Sequence, residues 1–101
     1  MKYENWLFGK NGALFSACAK GDIELAKELV SKGANVNSAS PNGVRPLHKA
    51  AQNGHLQITQ FLLESGAEVS AKAYDKATAM SVAQENGHKE IVKLLDTYGA
   101  S

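Results

Sequence analysis

The chain is expected to fold as an all-α solenoid of three stacked helix-turn-helix units. Three observations lead there. Gly21, Gly54 and Gly87 follow one another at a step of about 33 residues, and Gly33, Gly66 and Gly99 follow at the same step. The apolar residues between these glycines keep the register: Leu14 with Leu47 and Met80, Ala17 with Ala50 and Ala83, Leu25 with Ile58 and Ile91, Leu29 with Leu62 and Leu95. Within each period the apolar residues fall at helical spacing, as in Leu47, Ala50 and Ala51 and then Ile58, Phe61 and Leu62. A repeat this short buries its apolar stripe only against its neighbours, so three units are about the smallest set that shares a core.

Met1 to Asn11 precedes the first unit and gathers Tyr3, Trp6, Leu7 and Phe8 within six positions. Two roles fit this cluster. It can cover the open end of the first unit, which needs a partner for its apolar face, or it can be an exposed aromatic patch used for binding. The first unit then reads as helices over Ala13–Lys20 and Ile23–Lys32. Asp22 stands at the entry of the second, where a carboxylate accepts backbone N–H bonds and meets the positive end of the helix dipole. Cys18 takes the slot that Ala51 fills in the middle unit, as a small buried hydrophobe.

Ser38 to Val44 is rich in turn formers, and Pro41-Asn42-Gly43 suits a tight turn. In the second unit Pro46 opens a helix over Leu47–Asn53, where its missing N–H costs least. Asn53-Gly54-His55 turns the chain into a second helix over Leu56–Ser65, which Gly66 stops. The third unit repeats this over Met80–Asn86 and Lys89–Tyr98. Gln84 stands there for Ala51 and Asp96 for Leu63, so this unit is expected to turn a face to water and close the stack.

Pro46-Leu47-His48, Ala50-Ala51, Gly54-His55 and Gly66-Ala67 resemble the ankyrin repeat family, and the resemblance runs from Gly12 to Ala100. No unit carries the full opening motif. The first has Gly12-Ala13-Leu14-Phe15, the second has Arg45 before Pro46, and the third has Thr78-Ala79-Met80-Ser81. The resemblance implies a capping segment at 1–11, repeats at 12–39 and 40–72, and a C-terminal capping repeat at 73–101. It also implies β-hairpin-like finger loops, here Ser38–Val44 and about Glu68–Thr78. The second tip, Tyr74-Asp75-Lys76, lacks the glycine of the first, so a different turn is expected there. Within the family, partners dock on the concave face made by the fingers and the first helices. That implies Asn42, Val44, Tyr74, Asp75 and Ala77 on the fingers, with Lys49, Gln52, Asn53, Glu85 and Asn86 on the helices. Tyr74 stands out as an anchor because a finger tip offers it no core to fill. Val44 is expected to be an exposed apolar residue. In the same light, His48 should bond backbone groups, and His55 and His88 should tie one unit to the next.

Composition limits the function. A chain of 101 residues fits one domain, and eleven basic against ten acidic residues give a net charge of +1, no electrostatic footprint for nucleic acid. No apolar run approaches the ~20 residues that span a bilayer, and the N-terminus does not read as a signal peptide, so cytoplasmic residence is the default. One cysteine excludes an internal disulfide. His48, His55 and His88 make no metal-ligand spacing with one another or with Cys18. No nucleophile elbow, phosphate loop or dinucleotide fingerprint occurs, and nothing calls for a cofactor. The expected function is therefore non-catalytic: a small adaptor or inhibitor that binds another protein, with no nucleic acid and no membrane. The alternative is a self-associating structural protein, a homodimer through the Trp6 region.

Overall fold

In a computed structural model, residues 9–100 are described. Tyr3, Trp6, Leu7 and Phe8 lie outside them, and so do both roles weighed for that cluster. The described residues form six α-helices and no strand: α1 (Lys10–Lys20), α2 (Ile23–Ser31), α3 (Pro46–Gln52), α4 (Leu56–Glu64), α5 (Ala79–Glu85) and α6 (Lys89–Thr97). They pair as three antiparallel hairpins, α1–α2, α3–α4 and α5–α6, as the periodicity predicts. The first helices α1, α3 and α5 pack closely along the stack, and the second helices touch less. The stack therefore curves, with the first helices on its inner side.

Small side chains allow the close approach of the first helices. Ala17, Ala50, Ala51 and Ala83 are fully or almost fully buried, with Leu14, Leu47 and Met80 beside them. Cys18 is buried in the same seam, and burial pushes its thiol pKa up to about 12, which leaves it protonated and unreactive. From the second helices, Ile58, Leu62, Ile91 and Leu95 complete the core. Gln84 and Asp96 are exposed, as expected of a face turned to water.

One helix departs from expectation. α1 starts at Lys10, three residues before the Ala13 start read from the sequence. Gly12, which looks like a breaker, is buried within it at the position of Arg45 and Thr78. In the other units a finger delivers the chain to that point. Here tertiary ties hold the extra turn: Lys10 Nζ donates to the Lys32 carbonyl (2.8 Å), and Asn11 Oδ1 accepts the Asn35 N–H (2.8 Å).

Polar side chains stitch the units together. Asp22 caps α2 as expected, accepting the Leu25 N–H at 3.1 Å. His55 and His88, at the starts of α4 and α6, reach back one unit: Nε2 of His55 lies 3.0 Å from the Ala19 carbonyl and Nε2 of His88 lies 2.9 Å from that of Gln52. Asn37 joins the first unit to the second, donating to the Gly66 carbonyl (3.0 Å) and accepting the Glu68 N–H (2.8 Å). The incomplete opening motifs are resolved differently in each unit. Arg45 offers no side-chain acceptor, so its unit keeps one half of the brace, with the Arg45 N–H donating to His48 Nδ1 (2.9 Å). In the third unit Ser81 stands in for the histidine. Thr78 N–H donates to Ser81 Oγ (2.9 Å) and Ser81 N–H to Thr78 Oγ1 (3.0 Å), a reciprocal capping box.

Candidate functional site

The two fingers adopt one design. In the first, Ser40 N–H bonds the Val44 carbonyl and Gly43 N–H bonds the Ser40 carbonyl, both at 2.8 Å. In the second, Ala73 N–H bonds the Ala77 carbonyl (2.9 Å) and Lys76 N–H bonds the Ala73 carbonyl (2.8 Å). This corrects the expectation of a different second turn. Lys76 takes φ +69°, beside +77° for Gly43, and keeps the same left-handed geometry without a glycine. That conformation costs a non-glycine residue about 1–2 kcal/mol, which the turn bonds and the Asp75 carboxylate, accepting the Ala77 N–H at 3.0 Å, offset. One backbone bond, Tyr74 N–H to the Asn42 carbonyl (3.1 Å), joins finger to finger.

Tyr74 is 79% exposed, and its ring nevertheless has a seat. A Cβ added at Gly43 would fall 2.7 Å from Tyr74 Cδ1, so the ring lies directly over the glycine of the preceding finger. Only a residue without a side chain permits that contact. The ring of Tyr74 is thus held against the first finger although most of its surface is exposed.

Behind the fingers runs a groove of about 230 Å³. Val44, Ala73, Ala77 and Val82 supply its apolar lining, and His48, Lys49, Gln52 and Asp75 its polar lining. His48 fixes the back wall. It is 4% exposed, its Nδ1 accepts the Arg45 N–H, and its Nε2 lies 3.0 Å from the Ala71 carbonyl at the base of the second finger. The two bonds require the tautomer with hydrogen on Nε2. Burial lowers the His48 pKa from its ordinary 6.5, and the Arg45 charge lowers it further, while the Ala71 and Ala77 backbone groups and the Asp75 carboxylate pull the other way.

A pH dependence follows. The folded pKa lies below the unfolded one, so the unfolded chain takes up the proton first as pH falls. The stability that depends on neutral His48 is whole above about pH 6.5 and is lost as pH drops through the lowered folded value. Urea midpoints measured between pH 7.5 and 5 should fall on the acid side, and His48→Gln should flatten that fall. An equal slope in the variant would assign the effect to other groups.

Of the positions implied by the resemblance, Val44, Lys49, Gln52, Asp75 and Ala77 converge on the groove. Val44 is half-buried there, which corrects the expectation of an exposed residue. Asn42 and Tyr74 stand exposed at the finger tips, while Asn53, Glu85 and Asn86 are exposed at the far ends of α3 and α5. The Asn53 amide donates to the Ala19 carbonyl (2.9 Å) and the Asn86 amide to the Val82 carbonyl (2.8 Å), so both donors already have partners. His48, Ala73 and Val82 also line the groove without having been named as docking positions. Val82 had a legible signal: it is the apolar member of a set whose other members are Ser16 and Lys49.

A larger hollow of about 420 Å³ opens on the outer side between α2 and α4, walled by Glu24, Lys27, Gln57, Gln60 and Glu64 with Ile23 and Phe61. It follows from the splay of the second helices, and long mobile side chains line it, which makes it a poor specificity pocket. Among the described residues no three of His, Cys, Asp and Glu converge as metal ligands, and each of the three histidines is turned to a backbone carbonyl.

Three helical hairpins joined by finger turns, with imidazole ties from each hairpin to the one before, are the architecture that a family comparison can test. The family model for ankyrin repeats, in three copies, matches residues 14–101. This chain belongs to the ankyrin repeat family. Comparison with curated protein sequences gives no match. Ankyrin repeats are in general protein–protein interaction modules and are typically non-catalytic. Among the described residues of this ankyrin chain, no helix is long and apolar enough to cross a membrane.

Proposed function

We propose that this ankyrin chain is a small cytoplasmic adaptor or inhibitor that seats a segment of a partner protein in the groove behind its fingers. One observation carries the reading: Tyr74, a large exposed aromatic, is set over Gly43 on the same finger whose Ala73, Asp75 and Ala77 line a groove with apolar and charged walls. Rigid aromatics beside a part-apolar pocket are the usual anchors of protein interfaces, because little freedom remains to be lost on docking. Val44, Ala77 and Val82 offer apolar contact, while Lys49 and Asp75 present opposite charges that fix a partner's orientation. His48 stays in a supporting role, since both ring nitrogens are engaged.

The test compares two photo-crosslinking positions in cells. A reactive residue at position 77 faces the groove, and one at position 60 faces the outer side. Partner adducts are expected from position 77 alone and should disappear with Tyr74→Ala. The expected loss on that substitution is about 2 kcal/mol of binding, roughly 30-fold in Kd. Adducts formed equally from both positions, or unaffected by Tyr74→Ala, would reject the groove as the docking site.

A further inference from the structure

At each junction between units an imidazole lies over the turn glycine of the unit before it. A Cβ added at Gly21 would fall 2.7 Å from Cε1 of His55, and one at Gly54 would fall 2.8 Å from Cε1 of His88. Each ring turns Nε2 to one carbonyl, that of Ala19 at 3.0 Å or that of Gln52 at 2.9 Å. Gly87 and the Glu85 carbonyl are the third members of these two series. Nothing lies within 4 Å of a Cβ built at Gly87. Among the described residues, the Glu85 carbonyl accepts no hydrogen bond. Hollows of about 180 and 210 Å³ remain beside the two glycines that carry a ring. The hollow beside Gly87 is about 400 Å³, lined by Gln84, Gly87, His88, Lys89, Val92 and Lys93.

The rim of this third place differs in charge. Ile23 and Leu56 follow two residues after Gly21 and Gly54, but Lys89 stands there after Gly87. Lys93 comes one helical turn later, so both ammonium groups rise from one face of α6. Val92 and the aliphatic stems of the two lysines keep the surface of the hollow mostly apolar. A second copy stacked on this end would bring Asp22 to Gly87, not an imidazole. We propose that the hollow binds a histidine within an acidic segment of a partner protein. The imidazole lies over Gly87 and donates a ring N–H to the Glu85 carbonyl, while neighbouring carboxylates meet Lys89 and Lys93. The site shares no lining residue with the groove behind the fingers, so each can be tested without the other.

The probe is the peptide acetyl-Asp-His-Asp-amide, added to the isotope-labelled full chain at about pH 8, where an ordinary imidazole is neutral. Amide resonances of Gly87, Lys89, Val92 and Lys93 should shift, with a Kd on the order of 1 mM. Gly87→Ala should weaken binding about tenfold or more, because its methyl would fall where the ring must lie. Gly33→Ala controls for backbone strain: φ there is +104°, a Cβ meets nothing within 4 Å, and binding should be unchanged. Phenylalanine in place of the peptide histidine keeps a ring without the N–H donor and should also bind about tenfold more weakly. Lys89→Glu with Lys93→Glu should weaken binding severalfold and remove its salt dependence. No shift at those four residues up to about 10 mM peptide, or equal binding by Gly87→Ala and the unmodified chain, would overturn the proposal. Shifts there that grow with protein concentration in the absence of peptide would overturn it too, and would assign the hollow to a second copy.

Discussion

Leu62→Ala is expected to remove about 3–5 kcal/mol of stability, the range for deleting a fully buried leucine where the surroundings cannot collapse. Leu62 lies in the middle unit with neighbours on both sides and is 0% exposed. A 101-residue domain has only about 5–15 kcal/mol in total, so this one change should leave the chain barely folded at 37 °C. Leu94→Ala is the matched control. That side chain packs against the core but is half-exposed at the last unit, and about 1–2 kcal/mol is expected. Urea unfolding followed by circular dichroism measures both. Equal losses at the two sites would mean that the shared seam is not the principal source of stability.

The second large effect separates two glycines that the sequence alone treats as equals. Gly54 and Gly87 both adopt left-handed φ, +79° and +72°. A Cβ at Gly54 would fall 2.8 Å from Cε1 of His88, while at Gly87 nothing lies within 4 Å. Gly87→Ala should therefore cost only the conformational strain, about 1–2 kcal/mol. Gly54→Ala should cost that and also displace His88 from the Gln52 carbonyl, for a sum of about 2–4 kcal/mol. In the double variant Gly54→Ala with His88→Ala, the excess of Gly54 over Gly87 should shrink, because the ring that blocks the methyl is gone. If the excess persists in full, the imidazole is not what fills the space over Gly54.

Most of the fold was legible because solenoid packing repeats its constraints: the same apolar positions recur every period, so one well-formed unit indexes the others. What periodicity does not carry is whether a neighbour is present. Leu25 and Ile58 are equivalent letters in the repeat, yet Leu25 is exposed and Ile58 is buried. The early start of α1 was hidden for a related reason. Gly12 reads as a breaker, and only the distant partners of Lys10 and Asn11 reveal that the turn before it is held. At Lys76 the local preference for glycine was overridden by two hydrogen bonds that close the finger. The docking positions came from resemblance to a family, which marks a surface but does not say which side chains meet. Convergence of Val44, Ala77 and Asp75 with Val82 and His48 depends on how far the second finger leans over α3, a three-dimensional fact set by the His48–Ala71 bond.

The imidazole that reaches back and the glycine that receives it also distinguish the three units as building blocks. The middle one carries both His55 and Gly54, and apolar residues on both flanks. The first offers Gly21 but Asp22 in place of histidine, and the third carries Gln84 and Asp96 on its outer flank. Only the middle block is compatible with a copy of itself at either side. Tandem duplication of those 33 residues would lengthen the molecule from within while leaving each terminus as it is, so a scaffold of this kind grows by insertion at its centre.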